Sequence, residues 1–187
     1  MKNPIIMLKR IAAIFLVLFS LTLTSCSVAP TSGLKAYVDS YDGYEFLYPN
    51  SWIEVNTTNA TLDVVFHDLI DSTENVSVIL NPVPGDRTLA DLGTPTEVGY
   101  RLSKSAIAPS ESDRVAELTS AEEHEYDGNL YYILEYAVKQ PQGERHNLAS
   151  IAISRGQLFT FNVSTSEKRW SKMQDRFKTV VNSFHVY

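Results

Sequence analysis

Leu130-Tyr131-Tyr132-Ile133-Leu134-Glu135-Tyr136-Ala137-Val138 is the most informative stretch of the chain. Leu130, Tyr132, Leu134, Tyr136 and Val138 alternate along one face, as a strand requires, because successive side chains point to opposite sides. Tyr131 and Ile133 make part of the reverse face apolar too, which places this strand centrally and covered on both sides. Turn chemistry brackets it, with Asp127-Gly128 before and Pro141-Gln142-Gly143 after. Strands at 148–154 and 157–163 follow, separated by Arg155-Gly156. Such short links imply an antiparallel meander. Upstream, Tyr44, Phe46 and Tyr48 alternate up to Pro49, which cannot donate to a ladder. Leu62, Val64 and Phe66 form a second apolar row, and Val76, Val78 and Leu80 a third, broken by Pro82 and Pro84.

Two segments switch to helical period. Thr94-Pro95-Thr96-Glu97 supplies an N-cap hydroxyl, Pro at the first helical position and Glu at the third, a capping box. Val98, Leu102 and Ala106 then share a face until Pro109 stops the helix. The last helix, capped by Ser164 or Ser166, carries the stripe Trp170, Met173, Phe177, Val180 and Phe184. Its outer face holds Lys168, Arg169, Lys172, Arg176 and Lys178, of which Lys168, Arg169, Lys172 and Arg176 are the expected docking residues. Residues 111–127 are opposite in sign, with seven acids against Arg114, and read either as a solvated face or as a docking patch. Residues 36–187 therefore form one α+β domain.

The N-terminus has another purpose. Lys2, Lys9 and Arg10 precede an apolar run from Ile11 to Leu23, the pattern of an export signal over residues 1–25. Leu23-Thr24-Ser25-Cys26 looks like a lipobox, so Cys26 is the expected lipid attachment site and 26–35 a lipidated tether. The competing reading is an ordinary export signal with an incidental cysteine. Cys26 is the only cysteine, which excludes disulfides within one chain and a thiolate metal site. Of 187 residues, 162 then remain, and the net charge moves from −6 to −9. An acidic exported domain is a poor candidate for nucleic-acid binding, which wants a basic footprint.

The sequence has no Gly-rich phosphate loop, no Gly-x-Ser-x-Gly and no His-Glu-x-x-His, so an enzyme is not expected. Four histidines remain. His67 and Asp63 share a strand face but stand about 13 Å apart, too far to share an ion. His124 lies among acids, and His185 sits near the end. His146 is different. With Arg155-Gly156 as a two-residue turn, His146 falls opposite Thr165, and Glu167 follows where the chain turns into the last helix. The pair reads either as a surface hydrogen bond or as two ligands of a zinc- or manganese-like ion.

Gly33-Leu34-Lys35-Ala36-Tyr37-Val38-Asp39 and Asp42-Gly43-Tyr44-Glu45-Phe46-Leu47-Tyr48-Pro49 with Trp52 resemble the opening of the PsbP family of photosystem II extrinsic proteins. Leu92-Gly93-Thr94-Pro95 is similar to that family's middle segment, and Gly156-Gln157-Leu158-Phe159 through Glu167-Lys168-Arg169-Trp170 to its end. The lipobox points to the cyanobacterial branch. The resemblance implies a PsbP/Mog1-like sandwich, a central antiparallel sheet of about six strands with helices on both faces. It also implies a lipid-anchored accessory protein on the lumenal side of the thylakoid membrane, partnered with photosystem II lumenal subunits and assisting assembly or stability of the oxygen-evolving complex. It implies metal binding at His146 and Glu167, with zinc, manganese or calcium held weakly and no cofactor required. The alternative function is a lipoprotein binding module for a divalent metal or small ligand.

Overall fold

The computed structural model describes residues 31–57 and 62–187. The expected signal segment and Cys26 lie outside the described residues. Strands β1 (Leu34–Asp39), β2 (Tyr44–Pro49), β3 (Trp52–Glu54), β4 (Leu62–Asp68) and β5 (Asn75–Pro82) come first. Helix α1 (Pro95–Leu102) follows, then the meander β6 (Val115–Tyr126), β7 (Asn129–Gln140), β8 (Gly143–Ser154) and β9 (Gln157–Ser166). Helix α2 (Glu167–Asn182) and the two-residue β10 (His185–Val186) close the chain. The main sheet has seven strands rather than six, in the order β3-β4-β5-β9-β8-β7-β6, and every pair in it is antiparallel. β1, β2 and β10 form a separate three-stranded sheet.

β7 has the central, two-sided character its sequence implies. Tyr131 packs into one core with Phe159, Phe161, Phe177 and Val180, the core shared by α2 and the small sheet. Tyr132, Leu134, Tyr136 and Val138 face the other way, toward Val98 of α1. Two tyrosine hydroxyls tie α1 to this face: Tyr132 donates to the Gly93 carbonyl and Tyr136 to that of Gly99, each at 2.9 Å. Gly99 permits the contact, since an added Cβ would sit 2.8 Å from a Leu118 methyl. The capping box of α1 is made as expected, with the Thr94 N–H donating to Glu97 Oε2 at 2.9 Å.

Several expectations need correction. The acidic run 111–127 keeps all seven acids exposed, as a solvated face requires, but most of it is an unforeseen strand, β6, which pairs with β7 at the sheet edge. Charge on an edge discourages pairing with other chains, and it hid the alternation of the partly buried Ala116 and Leu118. After α1 the chain widens into a π turn, Ser103–Ile107. The extra residue rotates the face, so Ile107 is buried and the expected Ala106 is exposed. Ser166 holds the N-cap position of α2 without a side-chain cap bond, and Ser164 belongs to β9. The ordered domain begins ahead of Ala36, because Leu34 and Lys35 already pair with Pro49 and Tyr48. β8 and β9 both extend beyond their expected bounds, and the extension holds His146 in a strand.

Candidate functional site

β8 and β9 pair in the register that a two-residue turn dictates: Ser154 opposes Gln157 and His146 opposes Thr165. His146 points to the α2 face, where it is 6% exposed. Its Nδ1 lies 3.0 Å from Glu167 Oε2, at the first residue of α2. Its Nε2 lies 2.7 Å from Glu135 Oε1, on β7. The Trp170 ring stacks on the imidazole at 3.7 Å between centroids and 9° between planes. Glu135 is the member sequence reasoning missed. It stands diagonally across from His146, two residues from the directly opposed Ala137, a relation invisible until strands are paired. One signal was available: Glu135 interrupts the apolar face that Tyr131 and Ile133 begin.

A neutral imidazole donates from one nitrogen only, so hydrogen bonds to both carboxylates take the imidazolium form. Donation from Nε2 to Glu135 alone leaves the Nδ1 lone pair directed at Glu167. That second arrangement is the one in which a carboxylate orients a metal-binding histidine. Glu135 and Glu167 approach opposite edges of the ring, so they cannot converge on one ion. What His146 and Glu167 could offer an ion of the zinc or manganese type is two ligand atoms, 3.0 Å apart. They suit calcium less well, because calcium takes oxygen ligands.

Beside this group lies a second one. Glu74, in the β4–β5 turn, is fully buried and accepts from the Thr165 hydroxyl and from Arg169 Nε, the latter at 2.6 Å. Arg169 is thus engaged inside the domain. Arg176 is too, since its Nη2 donates to the Gly33 carbonyl at 2.6 Å. Of the four expected docking residues, Lys168 and Lys172 stand exposed without an ion pair among the described residues.

His124 lines a cavity together with Glu135, whereas His67 and His185 make contacts of their own elsewhere. His67 Nδ1 lies 2.7 Å from the Asp68 carbonyl oxygen. His185 stacks on Tyr126, and burial pushes its pKa down. Sequence reasoning also missed a carboxylate cluster, Asp39, Asp42 and Asp63, whose oxygens lie within 4.8 Å of one another. Burial first, and then the charges of Asp63 and Asp39, raise the Asp42 pKa. Tyr44 donates to Asp63, and burial raises the pKa of that phenol.

Residues 32–186 match the family described as PsbP. The chain belongs to the PsbP family. PsbP proteins are accessory proteins associated with photosystem II. The chain is 53% identical over 186 residues to CyanoP of Thermosynechococcus vestitus, covering 97% of this chain and all of that one. CyanoP of Synechocystis is 51% identical, with 91% and 92% covered. The solution structure of Synechocystis CyanoP has the same fold, with a TM-score of 0.73 at 50% identity over 88% of this chain and 99% of that one.

Proposed function

We propose that this PsbP-family chain is a lipid-anchored accessory protein on the lumenal side of the thylakoid membrane, assisting assembly or stability of the oxygen-evolving complex of photosystem II. The observation that carries the reading is the end-to-end similarity to CyanoP, which spans 97% of the chain. The lipobox at Leu23-Thr24-Ser25-Cys26 supports the anchor. An anchor confines the domain to a thin layer, so a weak dock is occupied through raised effective concentration. Lys168 and Lys172 supply docking charge at one end of the domain. Cys26→Ser should release the protein from membranes and from photosystem II complexes. Retained co-purification of that variant with those complexes would defeat the reading.

A second reading, metal binding, is favoured by the close approach of His146 Nδ1 to Glu167. Titration with zinc or manganese should give weak binding that His146→Ala abolishes. Unchanged heat in that variant would remove the pair as ligands.

A further inference from the structure

Arg145 precedes His146 in β8 and therefore points to the opposite face of the sheet, into an open groove of about 520 Å³. That volume lies in the range of sites that take small ligands. β5, β8 and β9 supply its floor, and the π turn supplies a wall through Ile107. α1 covers the β6–β8 side of this face and leaves the groove open.

The groove is built around Arg145. Its Nε and Nη2 donate to Ser164 Oγ at 3.0 and 2.8 Å, and Nη2 donates also to the Thr73 carbonyl. Ser164 Oγ in turn donates to Asn147 Oδ1 at 3.0 Å, and Asn147 Nδ2 to Asn162 Oδ1 at 3.3 Å. This chain fixes the guanidinium and leaves Nη1 for a ligand. Arg145 is half-buried yet has no ion pair among the described residues. Burial lowers its pKa, Arg114 on the groove's rim lowers it further, and Asp71 and Glu74 act in the opposite direction from outside the groove. A half-buried cation without a carboxylate partner is costly to keep.

The floor carries an independent sign. Thr160 lines the groove and is 3% exposed, and its hydroxyl oxygen is buried with no partner in the protein. Buried polar atoms are nearly always satisfied, and of the five orphans among the described residues Thr160 Oγ1 is the one on a residue that lines this groove, which points to a group that comes from outside.

We propose that this groove binds an acidic peptide segment, with a carboxylate on the Arg145–Arg114 pair and a backbone polar group on the Thr160 hydroxyl. Asp71 and Glu74 offset part of the arginine charge, which favours a singly charged carboxylate over a phosphate dianion. Asn and Gln side chains along the floor and rim offer donors and acceptors together, as a peptide backbone requires. The proposal does not depend on how the domain reaches the membrane.

The test is fluorescence anisotropy of dye-labelled tetraglutamate against the full chain in detergent, with tetraglutamine as the neutral control. The expected result is saturable binding of tetraglutamate only, weakened tenfold or more by Arg114→Ala and by Arg145→Lys. Thr160→Val should weaken binding at least threefold while leaving the thermal midpoint unchanged or raised, because an orphan hydroxyl contributes nothing to folding. Equal binding of both peptides would overturn the proposal, as would full affinity in Arg114→Ala. So would competition by free glutarate at the peptide's own affinity, since the ligand would then be a small carboxylate. A lowered midpoint in Thr160→Val would show that the hydroxyl serves the fold instead.

Discussion

Arg145 and His146 are neighbours in β8, and they look into two different kinds of environment. On the α2 face, aromatic side chains close the core: Phe46 and Phe161 lie 4.6 Å apart, and Phe161 and Phe184 lie 5.1 Å apart. Polar groups at its rim pair with one another, as in Glu135–His146–Glu167 and Thr165–Glu74–Arg169, although Glu74 Oε2 is buried without a partner among the described residues. On the α1 face, one short helix covers half the sheet, and the other half is a polar groove with an orphan hydroxyl. The difference is one of closure: aromatic packing seals one face, and the other is left partly open. A sheet buried on one side by a long helix can leave the other side partly open without losing its core.

Phe161 and Asn162 test this contrast most sharply, because they are consecutive and face opposite ways. Phe161→Ala should cost about 3–5 kcal/mol in denaturant unfolding, since it opens a cavity in a closed core. Asn162→Ala in the open groove should cost less than about 1 kcal/mol. Equal losses would erase the distinction between the faces.

The next effect concerns the rim of the α2 face. Arg169→Met leaves the buried Glu74 carboxylate without its ion partner, a loss of about 2–4 kcal/mol by thermal or denaturant unfolding. Lys168→Met, one residue earlier and exposed, should change stability by less than about 0.5 kcal/mol. If instead the two substitutions matched, Arg169 would be a surface cation after all and would return to the docking set.

The smallest effect has a pH signature. N–H donation from Asp71 is the main cause holding the Asp68 carboxyl below the ordinary aspartate range, with burial opposing it and Ile70 N–H adding to it. A depressed folded-state pKa gives stability that is fully present above the unfolded value and is lost as pH falls through the folded one. Asp68→Ala should therefore cost about 1 kcal/mol at pH 7, a figure kept small by solvent screening. The deficit should shrink in acid below the ordinary aspartate range. A deficit independent of pH would mean that the turn is held by packing.

Much of this was legible beforehand, for identifiable reasons. The two-sided β7, the capping box at Thr94 and the His146–Thr165 register all follow from local periodicity and turn length. β6 was hidden because an edge strand facing water loses its apolar alternation to charge. Ala106 was misplaced because a π turn adds a residue that periodicity cannot anticipate. Arg169 and Arg176 looked like free docking cations because helical spacing shows which face they occupy. It cannot show that Glu74 and Gly33, far away in the chain, come to meet them.

The amino-acid sequence by itself determined six of the strands (β2, β4, β5, β7, β8 and β9), the capping box at Thr94, the α+β class and the closeness of His146 to Glu167, because each depends on residues within a hairpin or a helix turn. Tertiary structure alone decided that Glu135 would take the other side of the imidazole, that Glu74 would bury against Arg169, and that Thr160 would line an open groove. Those outcomes depend on how strands and helices stack in space, and stacking is set by burial of the whole core rather than by any local run of residues.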